Sequence, residues 1–308
     1  MKILITGGTG MVGSAFKNID TEHELILVGR KDYKLNRSES AYWMLQNIKP
    51  DAIIHLAAQV GGIKANMDYA GDFYINNIRI NTNVLDAAKN QVEKVISLLS
   101  TCIYPDKATY PLTEDQIHNG PPHSSNYAYA HAKRMLDVQS RAYRDQHGCN
   151  FITAVPNNLF GESDNFDLEN SHVIPAMIRK MYEAKLNNQD VTLWGDGSPL
   201  REFTYSKDLA EILLFLLDHY DSPRPINVGN THEISIKKVA ETIRDILDFQ
   251  GEIVWDTTKP SGQFRKPSDN SRLLDLGWRE ENYTDFKKAL TKTCKWVILN
   301  YPNIRGIK

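Results

Sequence analysis

The chain predicts an α/β protein: a doubly wound parallel sheet with helices on both faces, joined to a smaller C-terminal α/β unit. Short aliphatic runs recur at residues 2–6, 25–28, 52–56, 95–99 and 151–155, as in strands buried on both faces. Between them, residues 76–90 and 130–147 carry apolar side chains at three- and four-residue spacing, which suits helical crossovers onto a parallel sheet. A glycine-rich loop follows the first run directly and opens onto a helix, the context in which such a loop has meaning.

Composition narrows the function. The 308 residues are 41% hydrophobic and 24% charged, an ordinary globular balance. With 36 Lys and Arg against 38 Asp and Glu the formal charge is -2, so no broad basic field exists to hold nucleic acid or anionic lipid. The densest apolar run, residues 209–217, is interrupted by Glu211 and falls far short of the roughly 20 residues of a membrane span. Residues 1–7 show no export signal, and Cys102, Cys149 and Cys294 are an odd number of thiols. Both features lead us to expect a reduced, cytoplasmic protein.

The elements then follow in order. After Phe160-Gly161 the texture changes to a polar loop at 162–165, a helix at 173–186 begun by Pro175, and a turn at 194–199. A helix at 206–219 and a strand at 226–228 return to the first pattern. A helix at 235–247, a loop at 259–269 and a last helix at 285–299 complete the chain. This predicts a cofactor domain of residues 1–160 plus 201–230 and a substrate domain of 161–200 plus 231–308.

In the glycine loop, Gly7, Gly10 and Gly13 recur every third residue among Gly8, Thr9, Met11 and Val12. Glycine lets a backbone approach a pyrophosphate closely, and the helix behind it offers free N–H groups and a positive dipole end. A tight turn without a ligand is the bland alternative. At the end of the second run, where an NAD site places a carboxylate on the ribose, stand Gly29, Arg30 and Lys31, with Asp32 after them. A guanidinium pairs with a 2'-phosphate that a carboxylate would repel, so NADP(H) is expected over NAD. The alternative is a solvated basic loop.

Tyr129-Ala130-His131-Ala132-Lys133 places a phenol and an ammonium at i and i+4 on one helix face. A nearby cation lowers the cost of proton transfer through a phenol, which suits an acid serving a carbonyl under hydride attack. The strand at 95–99 ends in Ser100-Thr101-Cys102, and ligands of open α/β sheets bind at such strand ends. Ser100 could then share a substrate oxygen with Tyr129. His55 ends a strand and His131 points elsewhere on its helix, so both are read as structural.

Together the glycine loop, His55-Leu56-Ala57-Ala58, Ser100 and Tyr129 to Lys133 resemble the extended short-chain dehydrogenase/reductases, Rossmann-fold enzymes of nucleotide sugars. The stretches 59–63, 100–105, 164–166, 170–175 and 200–203 are similar to members that both epimerise and reduce a 4-keto sugar. The resemblance implies Ser100, Tyr129 and Lys133 as the reductase centre, Cys102 as epimerising base and His172 as acid. On their own residues, Cys102 reads as a packed thiol and His172 as a helix cap. The resemblance adds Leu98, Pro156, Asn157, Asn158, Leu159, His172 and Lys133 to the cofactor contacts. It assigns Lys180, Trp194, Arg201 and Lys266 to the guanosine diphosphate of a GDP-sugar. Two positions depart from the family: Lys180 replaces an arginine, and Ser261 an acidic residue. A homodimer paired through the helices at 76–90 and 129–147, with no metal, is also implied. Rival readings are an epimerase that keeps NAD bound and a cofactor-sensing protein without chemistry.

Overall fold

A computed structural model describes residues 1–259 and 264–307; Ser261 and part of the 259–269 loop lie outside them. The chain begins β1 (Lys2–Thr6), α1 (Met11–Ala15), β2 (Glu24–Val28), α2 (Ser38–Ile48), β3 (Ala52–His55), α3 (Ile63–Asp68), α4 (Ala70–Ala88) and β4 (Lys94–Leu98). It continues α5 (Tyr127–His147), β5 (Phe151–Pro156), β6 (Asn158–Phe160), α6 (Val173–Leu186), β7 (Val191–Trp194) and β8 (Leu200–Tyr205). Then come α7 (Ser206–His219), β9 (Ile226–Val228), β10 (Glu233–Ser235), α8 (Ile236–Leu247), β11 (Ile253–Asp256), α9 (Ser271–Asp275) and α10 (Phe286–Asn300).

Six strands form the central sheet in the order β2-β1-β3-β4-β5-β9, all parallel. Both faces are covered because alternate side chains feed different cores. Ile3, Ile5, Ile54, Ile96 and Ile152 pack with Leu209, Leu213 and Leu216 of α7. Leu4, Ile53, Val95 and Phe151 pack with Met44 of α2, Val84 and Leu85 of α4 and Leu136 of α5. The strand order reverses between β1 and β3, so the switch point opens at their carboxyl ends beside that of β4.

The predicted strands of this sheet are present to within a residue at their ends. The two long helices start earlier than their apolar periodicity predicts, at Ala70 and Tyr127. Asp72 in the first turn of α4 complements the helix dipole, and a 3-10 turn at Ser124–Asn126 feeds α5. Periodicity missed α2, α3 and α9, and also the short strands β6, β7, β8, β10 and β11. Three or four residues hold too few repeats to show a pattern, and β8 buries polar Thr204 and Glu202 beside Phe203 and Tyr205.

The predicted domain division needs correction in two places. Residues 201–205 do not join the central sheet: β8 lies between β10 and β6 in a separate three-stranded sheet. Its Phe203 and Tyr205 pack with Phe160, Ile178, Val239, Ile243 and Leu290 in another core. Conversely, Leu273 and Trp278, expected in the substrate domain, pack against Leu213 and Ile226 of the cofactor half. Burial of a side chain decides its domain, and sequence position alone does not.

Candidate active site

Three strand ends build the site. Beyond Leu98, Ser100 caps a 3-10 turn at Thr101–Ile103, its Oγ accepting from the Cys102 amide at 3.5 Å. Arg134 of α5 pins the turn from behind: its Nε donates to the Ile103 carbonyl at 2.6 Å and its Nη1 to that of Gly120 at 2.7 Å. One residue earlier, Lys133 is 3% exposed and its Nζ donates to the Leu98 carbonyl at 2.7 Å. Tyr129, a turn before it on the helix, packs edge-on against Phe73 of α4, ring centroids 6.3 Å apart.

Burial, with the Cys102 thiol adding, pushes the Tyr129 phenol above its usual value. Burial also pushes the Lys133 ammonium down to about 8, opposed only in part by Cys102. Tyr129 is thus held as a protonated donor. The Cys102 thiol is pushed up by burial, while the Ser100 hydroxyl, Lys266, Lys133 and a backbone amide pull it down.

Lys266 is the unexpected member of this cluster. Its Nζ donates to the Thr101 carbonyl at 3.2 Å, against the Cys102 turn, and it stands among the charged neighbours of the thiol. Lys180 and Trp194 form a separate group: Lys180 Nζ lies 5.8 Å over the Trp194 ring and donates to the Thr192 carbonyl at 3.3 Å. Lys259 approaches the same ring to 5.9 Å, a partner the sequence reading missed. Trp194 is 63% exposed, so its ring is open to a planar ligand. Arg201, on β8, donates to the Leu200 carbonyl at 2.7 Å.

His172 is the N-cap residue of α6 but makes no side-chain capping bond, so the capping alternative fails and its imidazole is exposed. The segment before it docks on the β3 side of the site, where the Gly62 amide donates to the Asn170 carbonyl at 3.1 Å. Asp164, buried nearby, has one carboxylate oxygen without a partner among the described residues, and burial pushes its carboxyl up. His55 is structural, as expected: its ring bonds Thr6 Oγ1 at 2.8 Å and Asn81 Oδ1 at 3.2 Å.

The glycine loop lies at the switch point. Gly7 takes a φ of +71°, and a Cβ there would stand 2.9 Å from the Ala57 amide nitrogen. A Cβ on Gly13 would strike the Gly7 carbonyl oxygen, so only glycine lets β1, the loop and α1 meet this closely. Gly10 caps α1, and Met11 and Val12 are its first residues; Thr9 packs against Gly29 at the end of β2. Arg30 and Lys31 are exposed. Asp32 stays at the same strand end, its Oδ2 accepting from the Gly29 amide at 2.7 Å. That cradle fits a dinucleotide whose ribose carries an anion.

At the end of β5, Pro156 closes the strand and Asn157 is engaged inward. Its Oδ1 accepts from Thr204 Oγ1 at 2.6 Å, and its Nδ2 donates to the Asn230 carbonyl at 2.8 Å. Asn158 is exposed, and its Nδ2 donates to the Glu202 carbonyl at 2.8 Å. Leu159 packs partly against the first core. Of the side chains the sequence reading missed, Arg134 adjoins Lys133 and Glu202 adjoins Arg201, but no local pattern marks either.

The model of the NAD dependent epimerase/dehydratase family matches residues 3–229. The chain belongs to that family. A GDP-L-fucose synthase of Dictyostelium discoideum is 44% identical, over 98% of this chain and 97% of its own. A GDP-L-colitose synthase of Yersinia pseudotuberculosis is 37% identical, over 97% and 98% respectively. The crystal structure of a GDP-L-fucose synthetase from Naegleria fowleri bound to NADP superposes with a TM-score of 0.93 at 40% identity, covering 98% of this chain and 94% of that one. Within the epimerase/dehydratase family, the cluster of Ser100, Cys102, Tyr129, Lys133 and Lys266 is equipped to polarise a carbonyl and move protons beside it. Among the described residues, no group of three or more His, Cys, Asp or Glu is placed to hold a metal.

Proposed function

We propose that the protein converts GDP-4-keto-6-deoxy-D-mannose to GDP-L-fucose with NADPH, by epimerisation at C3 and C5 followed by reduction at C4. One observation carries the reading: a thiol, Cys102, stands at the β4 end, its amide on the Ser100 hydroxyl and the Lys266 ammonium on the adjoining Thr101 carbonyl. A simple reductase has no use for it. A 4-ketone acidifies the hydrogens at C3 and C5, and inversion needs a base on one face and an acid on the other. Cys102 is the base and His172 the acid. Ser100 and Tyr129 hold the C4 oxygen through the enolate, and Tyr129, kept protonated by burial, then gives its proton to that oxygen.

The cofactor would be held by residues 7–13, with Arg30 and Lys31 on the 2'-phosphate, Lys133 on the nicotinamide ribose, and Leu98, residues 156–159 and His172 along the nicotinamide side. Bound there, NADPH supplies the hydride for C4. Lys180, Trp194, Arg201 and Lys266 hold the GDP moiety. We place the protein in the cytoplasm as a homodimer joined through α4 and α5, where Met135 and Val138 are exposed one turn apart. No described helix is long and apolar enough to cross a membrane.

The test is loss of NADPH absorbance on mixing with GDP-4-keto-6-deoxy-D-mannose, with NADH and the 3-deoxy sugar as comparisons. Turnover of the 3-hydroxy sugar to GDP-L-fucose is expected. Turnover of the 3-deoxy sugar alone would establish the second reading, a GDP-L-colitose synthase, which the Yersinia relative favours. Failure with both would refute both readings.

A further inference from the structure

Glu202 lies in β8 beside Arg201, and 1% of it is exposed. A carboxylate so buried must find donors for both oxygens. Oε1 accepts from the Ser268 amide at 2.9 Å, and Oε2 accepts from Ser268 Oγ at 2.5 Å and from Asn157 Nδ2 at 3.3 Å. One side chain therefore ties the end of β5 and the loop after β11 to β8. Two residues before Ser268 in that loop stands Lys266, with its ammonium on the Thr101 carbonyl. The loop has other anchors: Leu112 brackets it through Pro267 and Asp269, and Arg265 pairs with Glu233. Asn227 of β9 also donates its Nδ2 to the Asp269 carbonyl at 2.9 Å, and the bonds to Glu202 join the loop to the end of β5.

We propose that Glu202 is a positioning residue: by gripping Ser268 it holds the Lys266 ammonium against the Cys102 turn and so sets how readily the thiol gives up its proton. The role rests on Cys102 acting as the epimerisation base. Lys133, Arg134 and Tyr129 face the thiol from α5, Lys266 from the loop, and Arg201 and Asp106 act on Lys266. Of the cations, Lys133 and Arg134 are fixed by carbonyls within the cofactor half, whereas Lys266 arrives on a segment from the other side.

The test is the pH dependence of iodoacetamide alkylation at Cys102 in the full chain, read by mass on its peptide, with buried Cys149 and Cys294 as references. Glu202→Gln, whose amide nitrogen cannot accept and must oppose either the Ser268 N–H or Asn157 Nδ2, weakens this grip and should raise the alkylation midpoint by about one pH unit. Lys266→Met should raise it similarly, and Glu202→Gln should add nothing in the Lys266→Met background. Ser268→Ala, which keeps the carboxylate and loses one bond, should shift it the same way by less and serves if Glu202→Gln fails to fold. An unmoved midpoint in the Glu202 or Ser268 variant overturns the proposal, as does a shift that persists without Lys266. The measurement needs neither sugar nor nucleotide, so its failure leaves the proposed reaction standing. Conversely, absence of turnover would leave the link between Glu202 and the thiol intact.

Discussion

Lys133 is a buried ammonium with one carbonyl partner, and burial pushes it down from 10.5 to about 8. Between those values the unfolded chain holds more protons than the folded one, so stability rises as pH increases from 8 to 10.5. Below 8 the full cost is present, up to about 3 kcal/mol. Lys133→Met should therefore raise the thermal midpoint at pH 7 while cutting turnover at least 100-fold; calorimetry and steady-state rates check both. Cys102→Ser should abolish deuterium uptake from solvent at C3 and C5 with NADPH affinity kept, measured by mass spectrometry and fluorescence titration. The placing of Ser100 and Lys133 at the end of β4 was legible because Ser100 directly follows a predictable strand and Lys133 lies on the helix after it. The closeness of Lys266 to Cys102 was not, since 165 positions separate it from Thr101 and only the fold closes that gap.

At the scale of elements, the turn joining β1 to α1 tolerates no side chain at Gly13. Gly13→Ala should weaken NADPH binding more than tenfold by fluorescence titration. Gly71→Ala, in α4 with nothing within 4 Å of the added methyl, should be neutral or stabilising by about 0.5–1 kcal/mol in urea. His55 knits β1, β3 and α4 through Thr6 and Asn81, and burial with Lys133 pushes it down to about 3. The unfolded chain takes up a proton there first, so stability should fall as pH drops from 6.5 toward 3, by up to about 5 kcal/mol. His55→Gln should flatten that acid limb of the urea midpoint. The strands of the central sheet were readable because short runs dominated by aliphatic residues announce burial on both faces. The strand β8 was not, because Glu202 and Thr204 are buried through partners distant in the chain.

Across the whole molecule, α4 and α5 lie side by side on one face of the sheet and leave Met135 and Val138 open to solvent. If a second copy covers them, Met135→Glu with Val138→Glu should move the sedimentation coefficient from dimer to monomer; an unchanged value would place the interface elsewhere. That two units exist is legible from the change of texture after Phe160-Gly161, but their seam is hidden. Leu273 and Trp278 look like any apolar residues of a C-terminal unit, and only packing against Leu213 and Ile226 assigns them to the first.

The chain passes from the first core to the second after β5, returns with α7 and β9, leaves again with β10 to β11, returns at Leu273 and Trp278, and ends in the second core with α10. Neither half is a continuous stretch of polypeptide. No single crossover point therefore exchanges the second core without also carrying across α7, β9, Leu273 and Trp278 of the first. One recombination event cannot swap the second core alone as a block.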